Sequence, residues 1–383
     1  MDFSFTEEQN MLRESVRKML DRIATPAYVR AMDEEARYPY EVYDAIVEMG
    51  LIAMVFPEQY GGLGGNVIDF AIIAEELGRK SYDLMGAYGT SVFNGLNLLH
   101  NGSEAQKRHY LPRLMSGEIR MSISMTEPDA GSDAGAMRTF AQREGDEWVI
   151  NGQKVFSTGA GAKNNIISLY AKTDNSVHYR KGISLFLVDN TLPGIRLRKL
   201  DTLGRRSLGT YEVFFDNLRI PADCIVGEPN RGWDYMLSGL QLERLMTTAA
   251  YCGAAQDVVD QALAYAKERK QFGKPIGNFQ AIAHMLADMQ TEVEASRLLM
   301  LHAAWLLAQG KDALKVLSMA KLFGSEAYVR AANNGMQIMG GYGYIKEFDM
   351  QRHFRDARVT TITAGTSQVQ RNLIAKLMGL DPK

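Results

Sequence analysis

The apolar residues of this chain change their spacing twice. Through "NMLRESVRKML", "PYEVYDAIVEMG", "VIDFAIIAEELGRK" and "SEAQKRHYLPRLMSG" they recur every three or four residues, the period of an amphipathic helix. From about Arg120 the chain breaks into short runs rich in β-branched and aromatic residues: "MSISMTE", "EWVINGQKVFST", "NIISLYAKT", "GISLFLVD", "GIRLRKLD" and "TYEVFFDNLRIP". Beyond "GEPNRGW" helical spacing returns, with long segments over about 234–268, 278–309 and 312–339 and shorter ones after them. Helices, then strands, then helices exclude a doubly wound sheet, in which the two alternate. The expected class is α+β. A helical domain over 1–119 precedes a central antiparallel β-domain or barrel over 120–231, and long antiparallel helices over 232–383 form a bundle.

Local signals refine this. Thr6 with Gln9 fits a capping box, and Asn151-Gly152 in "NGQK" is a strong hairpin signal. "YGGLGGN" does not complete G-x-G-x-x-G and follows no clear strand, so no dinucleotide fold is expected there. No P-loop, HExxH or G-x-S-x-G is present. The histidines lack ligand spacing, and Cys224 and Cys252 form no CxxC pair, so neither a metal site nor a disulfide framework is expected. A net charge of −2 gives no electrostatic reason to expect nucleic acid or an anionic membrane as partner. The apolar stretch "LLMLHAAWLLAQG" is too short to span a bilayer. The start "MDFSFTEEQN" lacks the basic and apolar regions of a signal peptide, so the expected location is the cytoplasm, or an organelle matrix after processing.

Five stretches carry candidate chemistry. "ISMTEPDAGSD", Ile123–Asp133, runs from a strand into a polar turn where N–H groups and the hydroxyls of Thr126 and Ser132 could bind an anion or a heterocycle edge, or simply cap the β-domain. "NGQKVFSTG" presents Phe156 and Thr158 on one face by alternation, a ring beside a hydroxyl, which suits a flat conjugated ligand or a half-buried strand. In "RKQFGKPIGNFQAI", Arg269 and Lys270 close a helix, and Arg269 could reach a pyrophosphate. "SGLQLERLMTTAAYCGAA" sets Glu243 on a helical stripe with positions 246, 247 and 250, either as a buried carboxylate or as half of a surface ion pair with Arg244. Its run of Ala and Gly permits a neighbouring helix to approach closely. "AGTSQVQR" is a loop entering a helix that Thr366 or Ser367 can cap; Ala364 at its start has no acid–base group.

Together and in this order, "FPEQYGG", "TEPDAGSD", "NGQK", "RKQFGKPI", "QIMGGYGY", "RDAR" and "GTSQVQR" resemble the acyl-CoA dehydrogenase family over essentially the whole chain. "MLSGLQLERL" looks especially like the isovaleryl-CoA and short branched-chain enzymes. The resemblance implies a four-helix C-terminal bundle, noncovalent FAD and, usually, a homotetramer. It implies α,β-dehydrogenation of a short or branched-chain acyl-CoA to a trans-2-enoyl-CoA, with electrons passed to an electron-transfer flavoprotein in fatty acid or amino acid catabolism. By position, Ile123, Ser124, Met125, Thr126 and Ser132 would border the flavin, with Phe156, Ser157 and Thr158 beside its ring. Arg269, Phe272, Gln280, Gln337, Gly340 and Gly341 would hold the ADP part, partly across a subunit boundary, and Thr366, Ser367 and Gln368 complete the contacts. Ser132, Arg180, Lys181, Gln241, Arg244, Ala364 and Gly365 would face the thioester. Many members carry the catalytic glutamate where this chain has Ala364; a subset places it on the bundle helix, which here is Glu243. The chain departs from the usual pattern at Gln241, at Leu208 and at Phe156, where Trp is common. The alternatives are an enoyl-CoA reductase of the crotonobetainyl-CoA type running in the opposite direction, and a non-catalytic flavin- or CoA-binding subunit.

Overall fold

A computed structural model describes residues 4–382; positions 1–3 and 383 of the expected outer domains lie outside it. The N-terminal helices are α1 (Glu7–Ile23), α2 (Pro26–Glu35), α3 (Tyr40–Glu48), α4 (Val67–Lys80), α5 (Tyr82–Asn101) and α6 (Glu104–Met115). α1 begins with the expected capping box: Thr6 Oγ1 accepts from the Gln9 N–H, and the Gln9 side chain accepts from the Thr6 N–H, both at 3.2 Å. α5 has no helical signature in the sequence, because Gly86, Gly89 and Gly95 are poor helix formers. Tertiary packing imposes it. α5 is buried along most of its length, and a Cβ at Gly89 would lie 1.9 Å from the Met246 sulfur of the C-terminal bundle.

The central sheet comprises β1 (Arg120–Ser124), β2 (Phe140–Glu144), β3 (Glu147–Thr158), β4 (Asn165–Lys172), β5 (Ile183–Asp189), β6 (Ile195–Leu200) and β7 (Thr210–Pro221). Their order is β1-β4-β2-β3-β7-β6, with β5 on the other flank of β4. The expected antiparallel arrangement holds for β2–β3, β3–β7, β4–β5 and β6–β7 but not throughout: β1 pairs with β4 in parallel, as does β2 at one position. A parallel neighbour requires a long crossover, and the β2–β3 excursion supplies it. The expected Asn151-Gly152 hairpin is also absent. These residues lie inside β3, where Asn151 Oδ1 accepts from the Asn217 N–H at 2.8 Å across an irregularity in the β3–β7 ladder. The tight turn is instead at Gly145 (φ 60), between β2 and β3.

The chain then enters α7 (Gly232–Glu268), a two-stranded ribbon of β8 (Lys270–Gln271) and β9 (Lys274–Pro275), α8 (Gln280–Ala308), α9 (Leu314–Met339), α10 (Gly341–Tyr344), α11 (Met350–Thr360) and α12 (Ser367–Leu377). α7, α8 and α9 pack on one another, and α11 and α12 pack on α9. None of the described helices is long and apolar enough to cross a membrane.

The N-terminal and C-terminal helices share one apolar core, whereas the sheet encloses its own around Trp148, Ile167, Phe186 and Val213. The shared core is closest where α4 crosses α7. A Cβ at Gly253 would fall 2.0 Å from the Glu75 carbonyl oxygen, so the small residues of α7 serve contact with the N-terminal layer. A second tie joins all three regions. Buried Asp83 on α5 accepts from Ser207 N–H (2.9 Å), Ser207 Oγ (2.7 Å) and Arg205 Nε (3.2 Å) in the loop after β6. The Arg205 N–H donates at 2.7 Å to Asp356 on α11. Leu208 is buried beside this knot, its N–H also directed at Asp83 (3.2 Å).

Because a backbone oxygen cannot move aside, Gly253→Val is expected to lower stability by about 1–3 kcal/mol or more, as overpacking does. Urea unfolding followed by circular dichroism reads this; an unchanged midpoint would show that α4 and α7 can separate freely.

Candidate active site

The ends of β1 and β3 are fastened together. Ser124 Oγ and Ser157 Oγ lie 2.7 Å apart, both buried, and the Val155 N–H donates to the Thr126 carbonyl at 2.8 Å. Between these bonds β3 bulges, and Phe156 takes φ 59 and leaves 64% of its surface exposed. Ile123, Met125, Thr126 and Thr158 are half-buried around it, while Ser132 is exposed on the following turn. Beneath the loop lies a buried pair the sequence did not single out. Lys154 Nζ donates to Glu127 Oε1 at 2.8 Å and to the Met125 carbonyl at 3.0 Å, and Glu127 accepts from the Arg138 and Thr139 N–H groups. Burial pushes the Lys154 ammonium down to about 8, with Glu127 opposing the fall. Burial alone would raise the Glu127 carboxyl. Lys154 and the two backbone donors outweigh it and hold that carboxyl below its usual range.

Glu243 sits at the second centre. It keeps part of its surface open although protein surrounds the carboxyl, which places it in a recess, not in a surface ion pair. Burial raises its pKa above the ordinary value, and the charges of Arg244, Lys321 and Arg205 oppose that rise. The β4 residue Tyr170 faces the same carboxyl. Arg244 is buried, and its Nε has no hydrogen-bond partner among the described residues. Gln241 is half-buried one turn earlier on α7. Lys321, on α9, donates to the Gly365 carbonyl at 2.7 Å and so brings the "AGTS" turn to the Glu243 recess. That turn is left-handed at both Ala364 (φ 54) and Gly365 (φ 84). Thr366 then caps α12 by accepting from the Val369 N–H; Ser367 is buried and Gln368 exposed.

A third group is separate in the fold. Arg269, Phe272, Gly340 and Gly341 line an open cleft of about 620 Å³ with Tyr265 and Tyr342. Gln280 and Gln337 are exposed near its borders. Phe272 stands at the tip of the β8–β9 ribbon, 94% exposed. Arg180 and Lys181 are exposed on a short turn after β4, where Tyr179 packs edge-on against Trp233 of α7. Lys321, Arg205 and Lys154 were not named from the sequence. For Lys321, a lone charge amid the small and apolar residues of "LSMAKLFGS" is the signal that could have found it.

Family profiles match in three consecutive blocks: "Acyl-CoA dehydrogenase, N-terminal domain" over residues 6–118, the middle domain over 122–218 and the C-terminal domain over 230–379. The chain belongs to the acyl-CoA dehydrogenase family. Among its relatives, a probable acyl-CoA dehydrogenase of Bacillus subtilis is 39% identical over 98% of this chain and 99% of its own. A caffeyl-CoA reductase–Etf complex subunit of Acetobacterium woodii is 38% identical over 98% and 99%. Among solved structures, the glutaryl-coenzyme A dehydrogenase–glutaryl-CoA complex superposes with a TM-score of 0.95 at 35% identity, covering 99% and 97% of the two chains. Acyl-CoA dehydrogenases are FAD-dependent oxidoreductases acting on the CH–CH bond of acyl-CoA, and this chain is one of them. The chemistry of its surfaces fits that cofactor. The exposed Phe156 ring offers a stacking face, and Cβ atoms at Gly340 and Gly341 would meet nothing within 4 Å, leaving the backbone open beside Arg269.

Lys154→Met leaves Glu127 buried without its cation, which costs roughly 3–5 kcal/mol. Reduced urea stability together with loss of bound-flavin absorbance is the expected result. Adding Glu127→Gln should recover much of the stability; a double variant no more stable than the single one would show that packing, not the orphaned charge, is responsible.

Proposed function

We propose that this dehydrogenase oxidises a short or branched-chain acyl-CoA to the trans-2-enoyl-CoA, with Glu243 as the base. The observation that carries this is the recessed carboxyl of Glu243 beside a left-handed turn whose Ala364 and Gly365 bear no acid–base group. Small residues there leave room near the α- and β-carbons of an acyl chain. When bound, FAD supplies the acceptor for the hydride that leaves Cβ. Ile123–Thr126, Ser132 and Phe156–Thr158 would hold its ring. Arg269, Phe272, Gln280, Gln337, Gly340, Gly341, Thr366, Ser367 and Gln368 would hold the remainder.

The protein's part is to place and move a proton. Entry of the acyl chain expels water from the recess and favours the neutral carboxylic acid further, which makes the carboxylate a stronger base toward the α-carbon. Glu243 takes the α-proton as the Cβ–H bond breaks. The charges of Arg244, Lys321 and Arg205 oppose the rise that burial causes and so favour the carboxylate form. Ser132, Gln241 and Arg244 would orient the thioester, with Arg180 and Lys181 at the mouth. An electron-transfer flavoprotein is the proposed acceptor, as the reductase–Etf relative supports. The exposed Phe272 supports a homotetramer in which that ring is covered.

The reverse reaction is the second reading, favoured by the similarity to a caffeyl-CoA reductase subunit. By microscopic reversibility Glu243 would then deliver the α-proton. Anaerobic titration with acyl-CoA and enoyl-CoA panels distinguishes the two. Bleaching of the yellow flavin by a saturated short-chain thioester supports oxidation. Reoxidation of the chemically reduced protein by an enoyl-CoA, without such bleaching, supports reduction. Inertness to both would leave a binding protein.

Glu243→Gln is expected to abolish bleaching while CoA-ester binding persists; undiminished turnover would overturn the base assignment. Adding Ala364→Glu should restore part of the activity if the two positions address one substrate carbon, and an inert double variant would count against that. Because burial keeps the Glu243 proton on to higher pH, the bleaching rate should fall on the acid side at a pH above the ordinary carboxylate value of about 4.3. A stopped-flow profile flat from pH 8 to the normal carboxylate range would contradict a raised pKa.

A further inference from the structure

Lys321 is completely buried within α9, flanked by Ala320, Gly324 and Ser325, and among the described residues it forms no ion pair. A lysine in that position costs free energy unless its charge is used. Its one hydrogen bond, at 2.7 Å, goes to the carbonyl oxygen of Gly365. Gln370 Nε2 donates to the same oxygen at 3.2 Å and to the Ala364 carbonyl at 3.0 Å, and the Ser367 N–H closes the loop onto the Thr361 carbonyl at 3.0 Å. Two successive residues with positive φ, one of them an alanine, persist only when surroundings over-determine them. We propose that Lys321 is a positioning residue for Glu243: its buried ammonium pins the strained Ala364–Gly365 turn against α9 and supplies one of the positive charges that face the carboxyl.

Both links are visible in the surroundings. Lys321 is faced by Glu243 and Arg244 of α7 and by Glu326 of its own helix. Glu326 is committed to Arg371 of α12 at 2.8 Å. Glu243 is faced by Arg244, by Arg205 from the loop after β6, by Tyr170 of β4 and by Lys321. Burial lowers Arg244 from its ordinary value while Arg205 is raised, and a guanidinium keeps its proton in proteins. Burial brings the Lys321 ammonium down to about 8, and Glu243 opposes that fall. The inference rests on Glu243 being the base, and the experiment separates the two.

Lys321→Met removes both the charge and the bond to Gly365; Lys321→Gln removes the charge and keeps a donor. Holoprotein of each would be followed by amide hydrogen exchange and by stopped-flow bleaching with isovaleryl-CoA and butyryl-CoA across pH. Expected for Lys321→Met is exchange in the 364–370 segment about ten-fold faster, with the acid limb of the bleaching rate moved up by roughly one pH unit. Lys321→Gln should show the shifted limb with near-native exchange. Wild-type exchange and a wild-type limb in Lys321→Met would overturn the proposal, as would failure of both variants to fold, since the buried ammonium would then be required by the fold as a whole and not by the placement of Glu243. If Glu243→Gln keeps its activity, the base assignment falls, and the exchange result still decides whether Lys321 pins the turn.

Discussion

Keeping a carboxyl out of bulk water while leaving it able to ionise is the constraint around which this chain is arranged. An isolated buried carboxylate would give up its charge. Here three cations oppose that outcome, each from a different part of the fold: Arg244 from α7, Lys321 from α9 and Arg205 from the loop after β6. Two of them are held by something further out. Arg205 is anchored through Asp83 on α5, and Lys321 through the turn that precedes α12. The electrostatics of one side chain therefore depend on the docking of all three sequence blocks.

The loop proposed to border the flavin follows the same logic with opposite emphasis. Lys154 and Glu127 are both buried, but they meet each other directly, and the carboxylate has two backbone donors as well. Such a pair contributes little net stability over apolar packing, yet losing one partner is costly. It fixes the path of the chain between Met125 and Thr139, where one short 3-10 turn at Ala134–Ala136 and an isolated bridge between Glu127 and Ala130 are the regular structure of the loop. Among the described residues Glu243, the proposed base, forms no ion pair, whereas Glu127, which fixes the loop, is paired with Lys154.

Much of this was legible in the sequence because the signals were local. Period changes located the helical and strand regions, Thr6 and Gln9 gave the cap of α1, and "LQLERLM" offered Glu243 as either a buried carboxylate or half of a surface ion pair, a choice the family resemblance narrowed. What escaped depended on contacts distant in sequence. α5 is a helix because its glycines admit Met246 and Leu114, not because they favour helix. β2 is short and mostly exposed, held by β3 alone over most of its length, and its composition reads as loop. Asn151-Gly152 has turn chemistry, but Asn217 absorbs it into a ladder irregularity. Lys321 and Arg205 gain meaning only when α9 and the loop after β6 converge on α7, which no spacing rule records.

The crossing of α4 and α7 bears on how this architecture can be altered. Backbone meets backbone there, at Gly253 against Glu75 and at Gly78 against Ala250, with no side chain between to absorb a mismatch. Grafting the N-terminal layer of one relative onto the body of another would succeed only if the matching strip of α7 travels with it. Since Glu243 lies on that same helix, the proposed base and the seam would be inherited as one unit.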